Sequence, residues 1–233
     1  MSNVAVIPAR GGSKRVPRKN VKPLAGVPMI VYSIRAALES GVFERVIVST
    51  DDEAIADVAR SHGATVPFLR GQHLSDDHTP VSAVTQQMLA WLVQAGEVFD
   101  NVAQLLPNCP LRTAQDVSDS LAAFVAQPHQ SQVSVTRYGW QNPWWALERD
   151  ATGAARALFP DKLMQRSQDL PTLFCPTGAV WWATSDALLE HGTFHLERRG
   201  LFELEWEHGV DIDDDADFEL AEVLLARQAA GRG

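Results

Sequence analysis

The feature that most limits the fold of this chain is a regular exchange, through its first half, of short apolar runs for helix-length amphipathic stretches. VAVIPA, RVIVST and NVAQLLP read as buried strands, and ATVPFL as a short further one. Between and after them lie PMIVYSIRAALESG, DDEAIADVARSHG, VSAVTQQMLAWLVQAG and TAQDVSDSLAAFVAQ. These carry helix start and stop signals: Pro28 and Gly41, Asp51 or Asp52 and Gly63, and Thr113 as a cap. Strands separated by helices of this length call for right-handed crossovers and a largely parallel sheet. The expected class is α/β.

The pattern changes near Val133. Residues 138–200 hold five of the seven tryptophans and many turn formers. WWAL and VWWA are strand candidates there, in an order the sequence leaves open. The segment reads as a subdomain, about 138–200, inserted into a single domain spanning 1–233. EHGVDIDDDADFELAEVLLARQ then predicts a short strand and an amphipathic last helix. A chain of 233 residues buries roughly 70% of its unfolded surface, enough for one large core.

Charge is distributed unevenly. Pro8 to Lys22 contains six cations (Arg10, Lys14, Arg15, Arg18, Lys19 and Lys22) and no acid, while the rest of the chain carries 14 cations against 29 anions. The net charge of −9 speaks against general affinity for nucleic acid or anionic membrane. A basic loop in an acidic protein suits a small anion. Two cysteines, Cys109 and Cys175, outside any CxxC pair, argue against a disulfide framework or zinc site and fit a reducing cytoplasm. No signal-peptide pattern and no apolar run of membrane-spanning length is present.

The basic loop follows an apolar strand, where open α/β sheets bind ligands. Gly11 and Gly12 let backbone approach a ligand closely. Exposed N–H groups with Arg and Lys heads make a cradle for polyphosphate. Both G-x-x-x-x-G-K-[ST] and G-x-G-x-x-G are absent. The competing reading is a solvated basic surface loop.

IPARGGSKRVPRKNVKPLAGVPMI closely resembles the N-terminal signature of the acylneuraminate cytidylyltransferases. The resemblance continues through VIVSTDDEAIADVARSHGATVPFLR, LPNCPLRT, RSQDLP and GVDIDDDADFELAE, and is weakest over 138–163. It implies a Rossmann-like three-layer nucleotidyltransferase fold whose inserted subdomain serves dimerisation and sugar-pocket closure. It implies transfer of CMP from CTP to the anomeric hydroxyl of a nonulosonic acid, with pyrophosphate released. Arg10, Lys14 and Lys19 match the cations around the triphosphate. Lys19 and Asn20 match the K-N pair beside the α-phosphate, and Arg70 a position near the cytosine. Thr79 and Asp77, in LSDDHTP, match the closing wall of the cytidine pocket. Arg166 and Gln168, in RSQDLP, match the element facing the sugar acid, where Arg166 suits a bidentate carboxylate contact; the competing reading is a salt bridge to Asp169 or Asp161. Leu106 and Thr177 depart from the family's residues near the sugar pocket, which leaves the particular sugar open.

In VDIDDDAD, strand alternation puts Asp211 and Asp213 on one face, with Val210 and Ile212 inward. Two carboxylates together suit Mg²⁺ shared with phosphates, and the resembled family holds its metal at these positions. Asp214, Asp215 and Asp217 read as helix-start residues. Arg10, Lys19 and Asp211 are the expected catalytic set. His62, His73 and His78 show no ligand spacing. The clustered tryptophans read as a homodimer interface, with Phe194 as a contributor across it. The rivals are a Kdo-type or other sugar nucleotidyltransferase, and a non-catalytic nucleotide-binding homologue.

Overall fold

The computed structural model describes residues 1–71 and 79–230. Along the chain run β1 (Asn3–Pro8), β2 (Pro23–Leu24), β3 (Val27–Pro28), α1 (Met29–Glu39), β4 (Arg45–Ser49), α2 (Glu53–Ser61), α3 (Val81–Gln94), β5 (Asn101–Gln104) and α4 (Ala114–Val125). There follow β6 (Ser131–Arg137), β7 (Leu147–Arg149), β8 (Ala155–Ala157), β9 (Phe174–Thr184), α5 (Ser185–His191), β10 (Gly200–Glu203) and α6 (Asp215–Ala230). The central sheet has the order β10-β6-β9-β5-β1-β4. All its neighbours are parallel except β9, which runs antiparallel to both β5 and β6. The expected mostly parallel α/β architecture is present.

Period-two alternation builds the three layers. On one face Ala5 and Ile7 of β1 pack with Ile30 and Ile34 of α1, Ile55 of α2 and Phe124 of α4. On the other, Val4 and Val6 meet Met88, Leu89 and Leu92 of α3 and Leu188 of α5. Successive residues of β9 split the same way: Trp182 joins the first layer and Trp181 the second. α6 is held by Phe218, Ala221 and Leu224 against Leu24, Met29 and Leu111. Thr113 caps α4 in a reciprocal capping box with Asp116, and Asp52 caps α2 by accepting from the Ile55 N–H.

Four local expectations change. ATVPFL makes two isolated parallel bridges, Ile47 to Thr65 and Thr50 to Leu69, and forms no strand, because Pro67 has no N–H to donate. WWAL begins as a 3₁₀ turn, Pro143–Trp145, whose start is capped by the Asn142 side chain. GVDIDDD forms no strand: its one sheet-like tie is Ile212 N–H to the Asn108 carbonyl, 2.8 Å. The span 138–200 divides, since only its first part, with the β7–β8 hairpin, leaves the sheet and β9 returns to its middle.

That division alters the reading of the aromatics. Trp182 is fully buried and stacks on Phe43 at 5.3 Å. Phe194 is also fully buried, 5.9 Å from Trp181. These three build the core of one chain, so Phe194 is not exposed for contact across an interface. No helix among the described residues is long and apolar enough to cross a membrane.

Candidate active site

Three neighbouring parallel strands, β4, β1 and β5, end on the same side of the sheet. Their following loops form a crevice of the kind open α/β sheets use for ligands. A cavity of about 290 Å³ lies there, lined by Pro8, Arg10, Lys19, Asn20, Arg70, Thr79 and others. Arg10, Lys19, Asn20, Arg70 and Thr79, singled out from sequence, thus converge. Gly11, Gly12 and Lys14 do not line the cavity but belong to the same loop. Asp77, His73 and His78 lie outside the described residues.

The loop is held by specific bonds. The Asn20 amide donates to the Arg10 carbonyl at 2.9 Å, and Val16 is fully buried beneath the loop. The Gly11 N–H donates to Asp51 Oδ1 at 2.9 Å. A side chain at Gly11 would collide with Asp52, since its Cβ would stand 2.8 Å from Oδ2. Arg70 is 6% exposed and donates to the Ser49 carbonyl at 3.0 Å. Burial lowers its pKa, Asp51 opposes that, and the nearby Arg10 charge lowers it further.

Several cations reach across the chain to its acidic end. Lys19 Nζ donates to the Ile212 carbonyl at 2.6 Å and stands 3.5 Å from Asp213. Arg15 pairs with Asp213 at 2.9 Å, and Lys22 with Asp215 at 2.9 Å. Arg15 and Lys22 thus tie the basic loop to the acidic segment.

Asp211 and Asp213 flank the fully buried Ile212. The Asn108 amide donates to Asp211 Oδ1. Asp211 opens to solvent on one side, yet surrounding protein and the neighbouring Asp213 carboxylate push its carboxyl up to about 6. Two hard-oxygen donors that repel each other, near a cavity rimmed by cations, fit a divalent ion completed by phosphate oxygens. Among the described residues no cluster of three or more His, Cys, Asp or Glu could hold a metal by itself. Asp217 accepts from the Asp213 and Asp214 N–H groups, the helix-start role read for it.

Sequence reasoning missed one residue of this wall and one that supports it. Asn108 follows β5, at the carboxyl end of the sheet, and lines the cavity. Arg112 is 3% exposed. Its Nη2 donates to the Leu106 and Cys109 carbonyls and to Ser33 Oγ, fixing the loop that carries Asn108. Burial pulls the Arg112 pKa down to about 10 and pushes the Cys109 thiol up to about 12, so this thiol is inert.

Arg166 and Gln168 lie on an exposed 3₁₀ turn, Ser167–Asp169, away from the cavity lining. Arg166 makes no ion pair with Asp161 or Asp169 among the described residues. Of the two departures from the resembled family, Leu106 lines the cavity. Thr177 is buried and hydrogen-bonds Ser134 Oγ at 2.9 Å, inside the sheet. His62 serves its own helix end through the Val58 carbonyl, 2.8 Å.

The model of a cytidylyltransferase family matches residues 4–92. Pseudaminic acid cytidylyltransferase of Campylobacter jejuni is 35% identical over 96% of both chains. CMP-N,N'-diacetyllegionaminic acid synthase of Legionella pneumophila is 34% identical over 97% of both. A solved CMP:2-keto-3-deoxy-manno-octonic acid synthetase complexed with CTP superimposes with a TM-score of 0.71 at 18% identity, covering 98% of this chain and all of that one.

Proposed function

We propose that this chain, which belongs to the cytidylyltransferase family, transfers CMP from CTP to the anomeric hydroxyl of a nonulosonic acid and releases pyrophosphate. The observation that carries this reading is the convergence of Arg10, Lys19, Asn20, Arg70 and Thr79 on one cavity, in a chain whose relatives are named for activating such acids.

The anomeric hydroxyl oxygen attacks the α-phosphorus in line and gives up its proton to water, the bond from that phosphorus to the bridging oxygen breaks, and pyrophosphate departs. In such transfers the protein contributes positioning and charge stabilisation. Arg10, Lys14 and Lys19 neutralise the triphosphate and the departing pyrophosphate. The Gly12 N–H faces the phosphates while Gly11 anchors the loop through Asp51, and Asn20, Arg70 and Thr79 hold the nucleoside end. Arg166 and Gln168 bind the sugar carboxylate, their exposed turn closing over the acceptor. A magnesium ion held by Asp211 and Asp213 would supply charge neutralisation and orientation of phosphate oxygens.

The acting species is a homodimer. Its support is the exposed apolar surface of the excursion before β9: Trp140 is 87% exposed, Met164 92% and Leu147 57%. Free Cys109 and Cys175 suit a reducing cytoplasm.

A panel of purified sugar acids incubated with CTP, read by mass spectrometry for the CMP-sugar, tests the reading. Product from pseudaminic, legionaminic or N-acetylneuraminic acid supports it. Product from Kdo alone would replace the acceptor class.

A further inference from the structure

Asp51 directly follows Thr50 at the end of β4, in a sequence position that suggests a helix cap. The cap is instead Asp52, whose Oδ1 accepts from the Ile55 N–H at 3.0 Å. Asp51 turns the other way. Its Oδ1 accepts from the Gly11 N–H at 2.9 Å and stands 3.9 Å from Arg70 Nη2. One carboxylate oxygen therefore serves both the basic loop and the buried guanidinium of the cavity.

We propose that Asp51 is the positioning residue that sets the nucleotide cavity, anchoring the basic loop through Gly11 and tying it to the buried Arg70 guanidinium. This rests on reading the cavity as the CTP site.

Two physical demands meet here. The loop carries several cations, and Lys19 ties its far end to Ile212 and Asp213, while Asp51 holds its near end at Gly11. Arg10 lies close enough to disfavour the Arg70 charge, and the Asp51 carboxylate beside Arg70 offsets that. Asp51 is itself only partly exposed, so its bond to Gly11 is shielded from competing water. The fit is steric as well as polar. Gly11 rests against the start of α2 so closely that a Cβ there would stand 2.9 Å from Asp52 Cβ. The residue pair Asp51–Asp52 thus forms a seat shaped for glycine: one carboxylate bonds its N–H, and the other leaves no room for a side chain.

Three variants separate anchoring from general stability. Asp51→Ala removes acceptor and charge. Asp51→Asn keeps the Oδ1 acceptor and gives up the charge. Gly11→Ala keeps Asp51 but pushes the loop off its seat. Isothermal calorimetry with CTP is expected to show about tenfold weaker binding for Asp51→Ala, from loss of a part-buried bond to an ordered loop. Asp51→Asn should recover to within about threefold of the parental protein, and Gly11→Ala should resemble Asp51→Ala. CTP affinity unchanged in folded Asp51→Ala, or Asp51→Asn as weak as Asp51→Ala with a common loss of thermal stability, overturns the assignment. A parental protein that binds no CTP overturns the underlying nucleotide reading instead, and the parental titration is therefore run first.

Discussion

The ammonium of Lys19 donates to the Ile212 carbonyl at 2.6 Å and stands 3.5 Å from the Asp213 carboxylate. Residues 193 positions apart thus join the basic loop to the carboxylates proposed as metal ligands. In the proposed reaction, which builds negative charge on phosphate oxygens, this lysine would neutralise substrate while its bonds hold the acidic segment.

Lys19→Ala is expected to lower turnover by about 10²–10³, the usual cost of removing a preorganised charge from a reacting centre. Circular dichroism should show an intact fold. Near-parental pyrophosphate release would remove Lys19 from its assigned role.

Asp211 and Asp213 give a second test. EDTA is expected to abolish pyrophosphate release, and added Mg²⁺ to restore it. Asp213→Asn keeps a polar side chain while losing a hard anionic ligand and the partner of Arg15. It should raise the Mg²⁺ concentration needed for half-maximal activity by about tenfold or more. Full activity in EDTA contradicts the metal assignment.

Much of this arrangement is legible in the sequence, and the exceptions have physical causes. α1 to α4 and the buried runs β1, β4 and β5 announce themselves through periodicity and capping residues. β6 does not, because its inward side chains include Gln132 and Ser134, which are buried yet satisfied by the Ser120 carbonyl and Thr177. VWWA reads as a strand, but its seat in the sheet depends on partners distant in sequence. The basic loop stands out by charge alone. Its pairings with Asp213 and Asp215 do not, since no local pattern reports a contact between the two ends of the chain.

His208 and Asp116 predict a pH-dependent contribution to stability. His208 Nδ1 lies 2.9 Å from Asp116 Oδ2 and ties the turn before the acidic segment to the capping box of α4. The bond to Asp116 raises the His208 pKa above 6.5 despite burial. Burial would raise Asp116, but bonds from His208 and Thr113 outweigh it and hold Asp116 below 3.8. The His208 contribution is full below pH 6.5 and is lost as pH rises through the folded value. The Asp116 contribution is full above its unfolded value of 3.8 and is lost as pH falls through the folded one. Urea denaturation of His208→Gln against the parental protein should show a larger stability difference at about pH 5.5 than at about pH 8. An equal difference at both would dismiss the pair.

The exposed apolar excursion makes an assembly prediction. The protein is expected to sediment as a dimer in analytical ultracentrifugation. Trp140→Asp combined with Met164→Asp, at side chains 87% and 92% exposed, should give folded monomer. A monomeric parental protein, or a dimer indifferent to both substitutions, contradicts this interface.

The crevice beyond β1, β4 and β5 is proposed to transfer cytidylyl groups to sugar acids. Pyrophosphate release, measured with CTP, UTP and ATP in turn over nonulosonic acid acceptors and Mg²⁺, tests it most directly. Release is expected with CTP and an acceptor present, and little with UTP or ATP. No release with CTP over any nonulosonic acid, or equal release with UTP, would contradict it.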